Sequence, residues 1–375
     1  MKICLIGGIY GQSGAASNYL RVTPETTLEA GLRQAGHQVT TLSHYAETDF
    51  GQFDVVHVHH LSYGAVRLAS DPSAAPFVFT VHDASPMSGV PLGLLRAGAL
   101  RYVLSRADRV VALSRLEADF HHSAHGLAAR RLATVPNGID AGRFTLARRN
   151  AAGRGRPWQL LFVGQLIPLK GCDLILRAVA MLPVDVELTL VYQTADLRPE
   201  LEALATGLGI RQRVHFAGRR EPEGLADLYQ QSDLLVLASE TEALPSVITE
   251  ALWSGLPFVS TAVGGIREQA AGFGHLVEQR TAESLAAGMA HVLANYQHFA
   301  EAAPRMNEHA RRTYSIAAMV EGHLAVYGEI AGQRPWRLRS RYSVLNRVAR
   351  AIVRHRVVPP QKKALTVVPA PTEGS

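Results

Sequence analysis

Cysteine is nearly absent: the 375 residues hold two, Cys4 and Cys172, both inside apolar segments. Two such thiols make no disulfide framework and no clustered thiolate zinc site, so buried free cysteines are expected. No apolar run reaches the ~18–20 residues that a membrane-crossing helix needs. The opening MKICLIGGIY has neither the charged region nor the cleavage site of a secretory leader, so a cytoplasmic location is expected. The spacing G-x-G-x-x-G is missing as well, which argues against an oxidoreductase with a dinucleotide cofactor. No short-period repeat is visible.

What is present is enough apolar residue for two cores. The chain is 47% hydrophobic and 19% charged, which suggests two domains that each bury their own interior. The net charge of +6 is unevenly placed. Residues 334–375 hold ten Lys and Arg against one acidic residue, so the rest of the chain is slightly acidic. Short apolar runs alternate with helical patterns throughout, which predicts an α/β fold with parallel, doubly wound sheets. Strands are expected at 2–6, 38–42, 55–60, 77–82, 109–114 and 133–140, with a helix at 25–35. After a linker rich in Arg, Gly and Ala at 141–157, a second strand series starts at Trp158. One helix is expected over 310–330.

The stretch from Ser239 to Glu268, SETEALPSVITEALWSGLPFVSTAVGGIRE, carries most of the functional signal. It follows the apolar run DLLVLA and leads into a second run, FVSTAV. A helix over 246–254 is expected between them, with Ser246 as its N-cap and Gly255 and Pro257 as its stop. Ligands of such sheets bind outside the carboxyl ends of the strands. Glu242 lies in the loop, and Glu250 lies one turn into the helix. Both can face one crevice, and the helix start between them suits a phosphate.

The order Glu242-Ala-Leu-Pro-Ser-Val-Ile-Thr-Glu250, then EA-x-x-x-G-x-P, then Gly264-Gly265-Ile266-Arg267-Glu268, resembles the signature of the family-4 retaining glycosyltransferases. That resemblance implies a GT-B fold, two Rossmann-like domains facing a central cleft. The N-terminal, acceptor-side domain would span 1–145 and the nucleotide-sugar-binding domain 158–312. A helix at 313–332 would return to the first domain, and 334–375 would form a basic tail. Phe162 to Gly171 resembles the family's GR-x-x-x-x-KG segment, with Gln165 where an Arg is usual. Lys170 is then the main cation on the donor diphosphate. The resemblance further implies Glu242 at the donor sugar, Glu250 on the ribose hydroxyls and His82 at the sugar from the other domain. Gly14 and Ala15 would lie over the diphosphate, Ala243, Leu244, Pro245 and Ser246 around it, and Arg219 beside the base. Catalysis would rest on Glu242, His82 and Lys170, with a nucleoside-diphosphate sugar as co-substrate and no other cofactor. No Asp-x-Asp pair of the kind that holds a metal-bound nucleotide appears, and no metal is expected.

Other features keep two readings. The glycines between Gly7 and Ala16 fit either a ligand-covering loop or a tight turn. His57, His59 and His60 end one strand and His82 another; no carboxylate or cysteine spacing completes a metal site with them. Pro136-Asn137-Gly138-Ile139-Asp140 matches the family's junction turn and reads as structural. Residues 343–358 carry apolar positions at helical spacing among arginines, which fits either a helix on an anionic membrane surface or a solvated extension. A saccharide or lipid-linked saccharide acceptor is the expected partner, without nucleic acid, in polysaccharide or glycoconjugate assembly. The alternative is a non-catalytic nucleotide-sugar-binding protein on the same scaffold, for which Gln165 is the argument.

Overall fold

The computed structural model describes residues 1–10, 23–43, 48–71, 75–82, 93–140, 142, 144–147 and 155–333. Gly14, Ala15 and the tail 334–375 lie outside the described residues. Two six-stranded parallel sheets organise the rest. The first contains β1 (Lys2–Ile6), β2 (Gln38–Leu42), β3 (Val55–His59), β4 (Phe77–Thr80), β5 (Arg109–Ala112) and β6 (Leu132–Thr134), in the order β2-β1-β3-β4-β5-β6. Its helices are α1 (Pro24–Gln34), α2 (Tyr63–Ser70), α3 (Leu94–Arg106) and α4 (Arg115–His125).

The second sheet contains β7 (Trp158–Val163), β8 (Val186–Val191), β9 (Val214–Gly218), β10 (Leu234–Leu237), β11 (Phe258–Thr261) and β12 (His275–Val277). Their order is β12-β11-β10-β7-β8-β9. The connecting helices are α5 (Cys172–Ala180), α6 (Arg198–Gly207), α7 (Pro222–Gln231), α8 (Ser246–Ser254) and α9 (Ile266–Ala270). After β12 come α10 (Ala282–Ala294), α11 (Tyr296–Glu301), α12 (Ala303–Thr313) and α13 (Ile316–Ile330).

Strands buried on both faces explain the continuous apolar runs: LLVL of β10 and FVST of β11 are buried at every position. Both cysteines are buried free thiols, and burial pushes each up to about 12. The second sheet reverses its winding between β10 and β7, and the first between β1 and β3. Such switch points open crevices at the carboxyl ends of the strands. Each of the constellations discussed below sits at one of them.

The helix expected over 310–330 is two helices. Tyr314 closes α12, and Ser315, extended at φ −77° and ψ 155°, caps α13 by accepting from the amide of Ala318 at 3.1 Å. A strand-like bridge between Ile139 and Ser315 fills the break. There the backbone approach leaves no room for a side chain: a Cβ on Gly138 would stand 2.6 Å from the Ser315 carbonyl. The Asn-Gly turn is therefore a packing joint. Met319, Val320, Val326, Tyr327 and Ile330 of α13 then join Ile3, Leu28, Val55 and Val111 in one core under the first sheet. Among the described residues, no helix is long and apolar enough to cross a membrane.

His323 of α13 is buried in that core, and burial pushes its imidazole down to about 4, although its hydrogen bond to the Met319 carbonyl opposes the shift. The neutral ring is the folded form, so the unfolded chain binds the extra proton between about pH 6.5 and 4. Stability conferred by this group is complete above that window and is lost as pH falls through it, by up to ~3 kcal/mol. His323→Leu should therefore flatten the acid limb of the melting-temperature curve between those values. An unchanged slope would contradict the assignment.

Candidate active site

Lys170 ends the turn that follows β7, and Glu242 lies in the loop that follows β10. These strands are neighbours at the switch point. Lys170 Nζ donates to Glu242 Oε1 at 2.5 Å, and Ser239 Oγ donates to the same oxygen at 2.7 Å. The side chains of Lys170 and Glu242 keep 25% and 12% exposure. The pair is thus held but reachable, as a charged site that exchanges partners must be.

The surrounding backbone has little freedom. Gly171 turns at φ 62°, and a Cβ there would meet the Ala238 carbonyl at 2.5 Å. Arg280 spans both loops, donating from Nε to the Ala238 carbonyl at 2.8 Å and from Nη2 to the Pro168 carbonyl at 3.0 Å. Gly264 and Gly265 press on the Glu242 loop from the far side. A Cβ on Gly264, at φ 51°, would lie 1.7 Å from the Glu242 carbonyl oxygen, and one on Gly265 2.0 Å from that of Ala243. Gly264→Ala should therefore cost about 2 kcal/mol or more, from left-handed strain and this clash. Thermal unfolding reads it; a variant as stable as the parent would contradict the packing.

Ser246 does not cap α8. Pro245 is the N-cap, at φ −68° and ψ 126°, and Ser246 is the first helical residue. No side chain caps this end of the nine-residue helix, and although the Ile248 amide donates to the Pro245 carbonyl at 3.2 Å, the end keeps the positive pole of the helix dipole. Pro245 is fixed from below by Gln269, whose Nε2 donates to its carbonyl at 3.0 Å and to Thr249 Oγ1 at 2.6 Å. Glu250 Oε2 accepts from Tyr229 Oη at 2.6 Å. Tyr229 is fully buried, and burial followed by the Glu250 charge pushes its phenol well above the usual range. Its proton stays on the tyrosine and orients the carboxylate.

Leu244, Ser246, Thr249 and Glu250 line a cleft of about 1220 Å³ together with Arg219 and Arg220 from the end of β9. Thr23, Pro24 and Thr27 of the first half close its other side, with Asn137 to Asp140 at the junction. The halves touch beside it, where Glu268 Oε2 accepts from the Arg115 amide at 2.6 Å. Lys170, Glu242, Gln165 and His82 lie outside this lining. Gln165 is exposed at the end of β7.

His82 follows β4 and is packed into a histidine cluster. His59 Nδ1 lies 3.1 Å from His82 Nε2. His57, on the same face of β3, is held by Tyr327 Oη at 2.6 Å and Thr80 Oγ1 at 2.7 Å. Burial pushes His82 down to about 4 and His57 and His59 well below their usual range. Glu25 joins from α1: His60 Nε2 donates to Glu25 Oε1 at 2.8 Å, and His82 Nε2 is 4.0 Å from it. Burial raises the Glu25 carboxyl, but the His60 hydrogen bond and the neighbouring imidazoles outweigh that and hold it well below the ordinary range. The missing carboxylate of the histidine group thus comes from a helix 34 residues before His59. Glu25, Tyr229, Ser239 and Arg280 carried no signal in spacing; Ser239 alone adjoined the motif.

Comparison with known proteins shows the family. Residues 145–313 match the model described as glycosyl transferases group 1, and residues 41–143 that of glycosyltransferase family 4. A D-inositol 3-phosphate glycosyltransferase of Geodermatophilus obscurus is 31% identical over 312 residues, covering 76% of this chain and 69% of that protein. One from Mycobacterium sp. (strain KMS) is 35% identical over 233 residues, covering 58% of this chain and 53% of the other. The chain thus spans about two thirds of the first and about half of the second. Among solved structures, the fold matches sucrose-phosphate synthase from Thermosynechococcus elongatus with a TM-score of 0.73 at 18% identity, covering 88% of this chain and 98% of that one. It matches Anabaena HepE in complex with UDP and glucose with a TM-score of 0.68 at 20% identity, covering 88% and 100%. The two sheets form a GT-B fold, and the chain is an enzyme that belongs to the family-4 glycosyltransferases.

Proposed function

We propose that this glycosyltransferase works with retention, moving a sugar from a nucleoside-diphosphate donor to an acceptor hydroxyl. The observation that carries the donor part of this reading is the switch-point arrangement; retention rests on the resemblance to the family. Lys170 and Glu242 are paired at the ends of β7 and β10, beside an uncapped helix start and a cleft lined by Glu250. In the transfer, the bond from the anomeric carbon to the diphosphate oxygen breaks and its electrons leave with the diphosphate. The acceptor oxygen bonds to that carbon and gives up its proton to the released phosphate. Charge accumulates on the diphosphate, so Lys170 and the first amides of α8 are the stabilising groups. On donor binding, Lys170 exchanges Glu242 for phosphate, and Glu242 turns to the sugar hydroxyls. Glu250 binds the ribose hydroxyls, Arg219 lies at the base, and His82 meets the sugar from the first half. Gly14 and Ala15 belong to the same donor site.

The named relatives act on D-inositol 3-phosphate, so a phosphorylated polyol is the first acceptor to try. Lipid-linked saccharides come second, which would fit glycoconjugate assembly and a basic tail on an anionic membrane. A thermal-shift screen of nucleotide sugars finds the donor, since a ligand of the native state raises the melting temperature. The anomeric proton coupling of the product, read by NMR, then tests retention. An inverted product would overturn it. Donor binding without transfer to any acceptor would favour the binding-protein alternative.

A further inference from the structure

We propose that Glu25, His59 and His82 form a binding site for a divalent transition-metal cation, with zinc the best match. One ligating atom from each lies within 4.8 Å of the other two. His59 Nδ1 and His82 Nε2 are 3.1 Å apart, and His82 Nε2 is 4.0 Å from Glu25 Oε1. Around a tetrahedral zinc with bonds of ~2.1 Å, ligand atoms stand about 3.4 Å apart. The imidazoles therefore need almost no movement, and the carboxylate, up to 4.8 Å from the other ligating atoms, a side-chain shift of about 1 Å.

Two imidazoles and one carboxylate leave a fourth position for water, and such a set favours zinc or cobalt over magnesium or calcium. The three ligands come from α1, β3 and the segment after β4. Their supports are already in place. His60 adopts a left-handed backbone, φ 64°, unusual for a residue with a side chain. Its ring donates to Glu25 Oε1, as the second shell of a metal site does. Tyr10 Oη donates to the Glu25 carbonyl at 3.0 Å. His57 is excluded as a ligand because both its nitrogens are engaged. His59 Nε2 is buried with no hydrogen-bond partner among the described residues, so Nδ1 makes that ring's polar contact while the His57 ring packs against it at 4.1 Å.

The cation holds the His82 ring by the nitrogen it turns inward, and zinc therefore inhibits transfer. That consequence rests on the sugar contact proposed for His82; the site itself does not. The test uses the full chain, stripped with chelator and titrated with Zn²⁺ by calorimetry and with Co²⁺ by its visible absorption. One cation should bind per chain, and Zn²⁺ should raise the melting temperature. Glu25→Gln and His59→Asn should each weaken binding by at least about tenfold, with metal-free melting curves to establish folding. Should His59→Asn not fold, the nearly isosteric Glu25→Gln carries the test. No binding up to ~1 mM, the edge of specific affinity, overturns the proposal. So does binding that survives both substitutions, as it would if His121 and His125, whose rings stack on α4 at 5.4 Å, held the ion. Binding that depends on Glu25 and His59 but leaves transfer intact supports the site and removes His82 from the donor contact.

Discussion

Replacing Lys170 by alanine should lower kcat/KM for sugar transfer by roughly a thousandfold while the protein still folds. A unit charge about 4 Å from phosphate is worth ~4 kcal/mol at an effective dielectric near 20, and each ~1.4 kcal/mol is tenfold in rate. Gln165 supplies no second charge at the end of β7, so little compensates beyond the α8 amides. Folding should survive because Lys170 lies on a surface turn whose shape is set by Gly171 and Arg280 rather than by its own side chain. The single variant also leaves the Glu242 carboxylate, which accepts from Ser239, without its cationic partner at the place proposed for the diphosphate. The loss in Lys170→Ala/Glu242→Gln should therefore be smaller than the product of the two single losses. Near-parental transfer by Lys170→Ala would contradict the assignment, and multiplicative losses would contradict the partner exchange.

Glu250→Ala should raise the donor KM at least roughly a hundredfold and leave kcat nearly unchanged, the mark of binding lost equally from ground and transition states. Two hydrogen bonds from ribose hydroxyls to a carboxylate contribute about 1.5–3 kcal/mol each. Alanine also removes the 2.6 Å carboxylate acceptor of the buried Tyr229 hydroxyl and leaves it the Val247 carbonyl at 3.4 Å, at a stability cost of about 1–3 kcal/mol. Glu250→Gln separates these effects, because its amide oxygen still accepts from Tyr229. Its melting temperature should stay near the parent's while the donor KM rises. Loss of kcat instead, at saturating donor, would move Glu250 from the ribose to the reacting sugar.

Part of the second half is legible because Glu242 and Glu250 lie in one continuous segment; Lys170 lies outside it, in the stretch that resembles the family's GR-x-x-x-x-KG segment. The strand, loop, helix and Gly-Gly turn of residues 234–268 all lie within a span that local rules can order. Even the glycine pair has a local cause, since it abuts the backbone of Glu242 and Ala243. What stayed hidden depends on contacts between distant parts of the chain. Arg280 reaches Pro168 across 112 residues, and Tyr327 reaches His57 across 270. No spacing rule joins Glu25 to the histidines, so that group looked incomplete. Ser246 has the residue type of a cap, yet Pro245 ahead of it already has the extended conformation a cap needs and hands Ser246 to the helix. The break at Tyr314–Ser315 follows from the junction turn packing against it, which helical periodicity over 310–330 did not reveal.

The grip on the diphosphate is the step from which the chemistry follows. Calorimetric titration of the full chain with a panel of nucleoside diphosphates and the matching monophosphates tests it most directly. One diphosphate should bind well, its monophosphate about a hundredfold more weakly, and Lys170→Ala should erase most of that difference. Equal affinity of the parent and Lys170→Ala for the diphosphate would contradict the account.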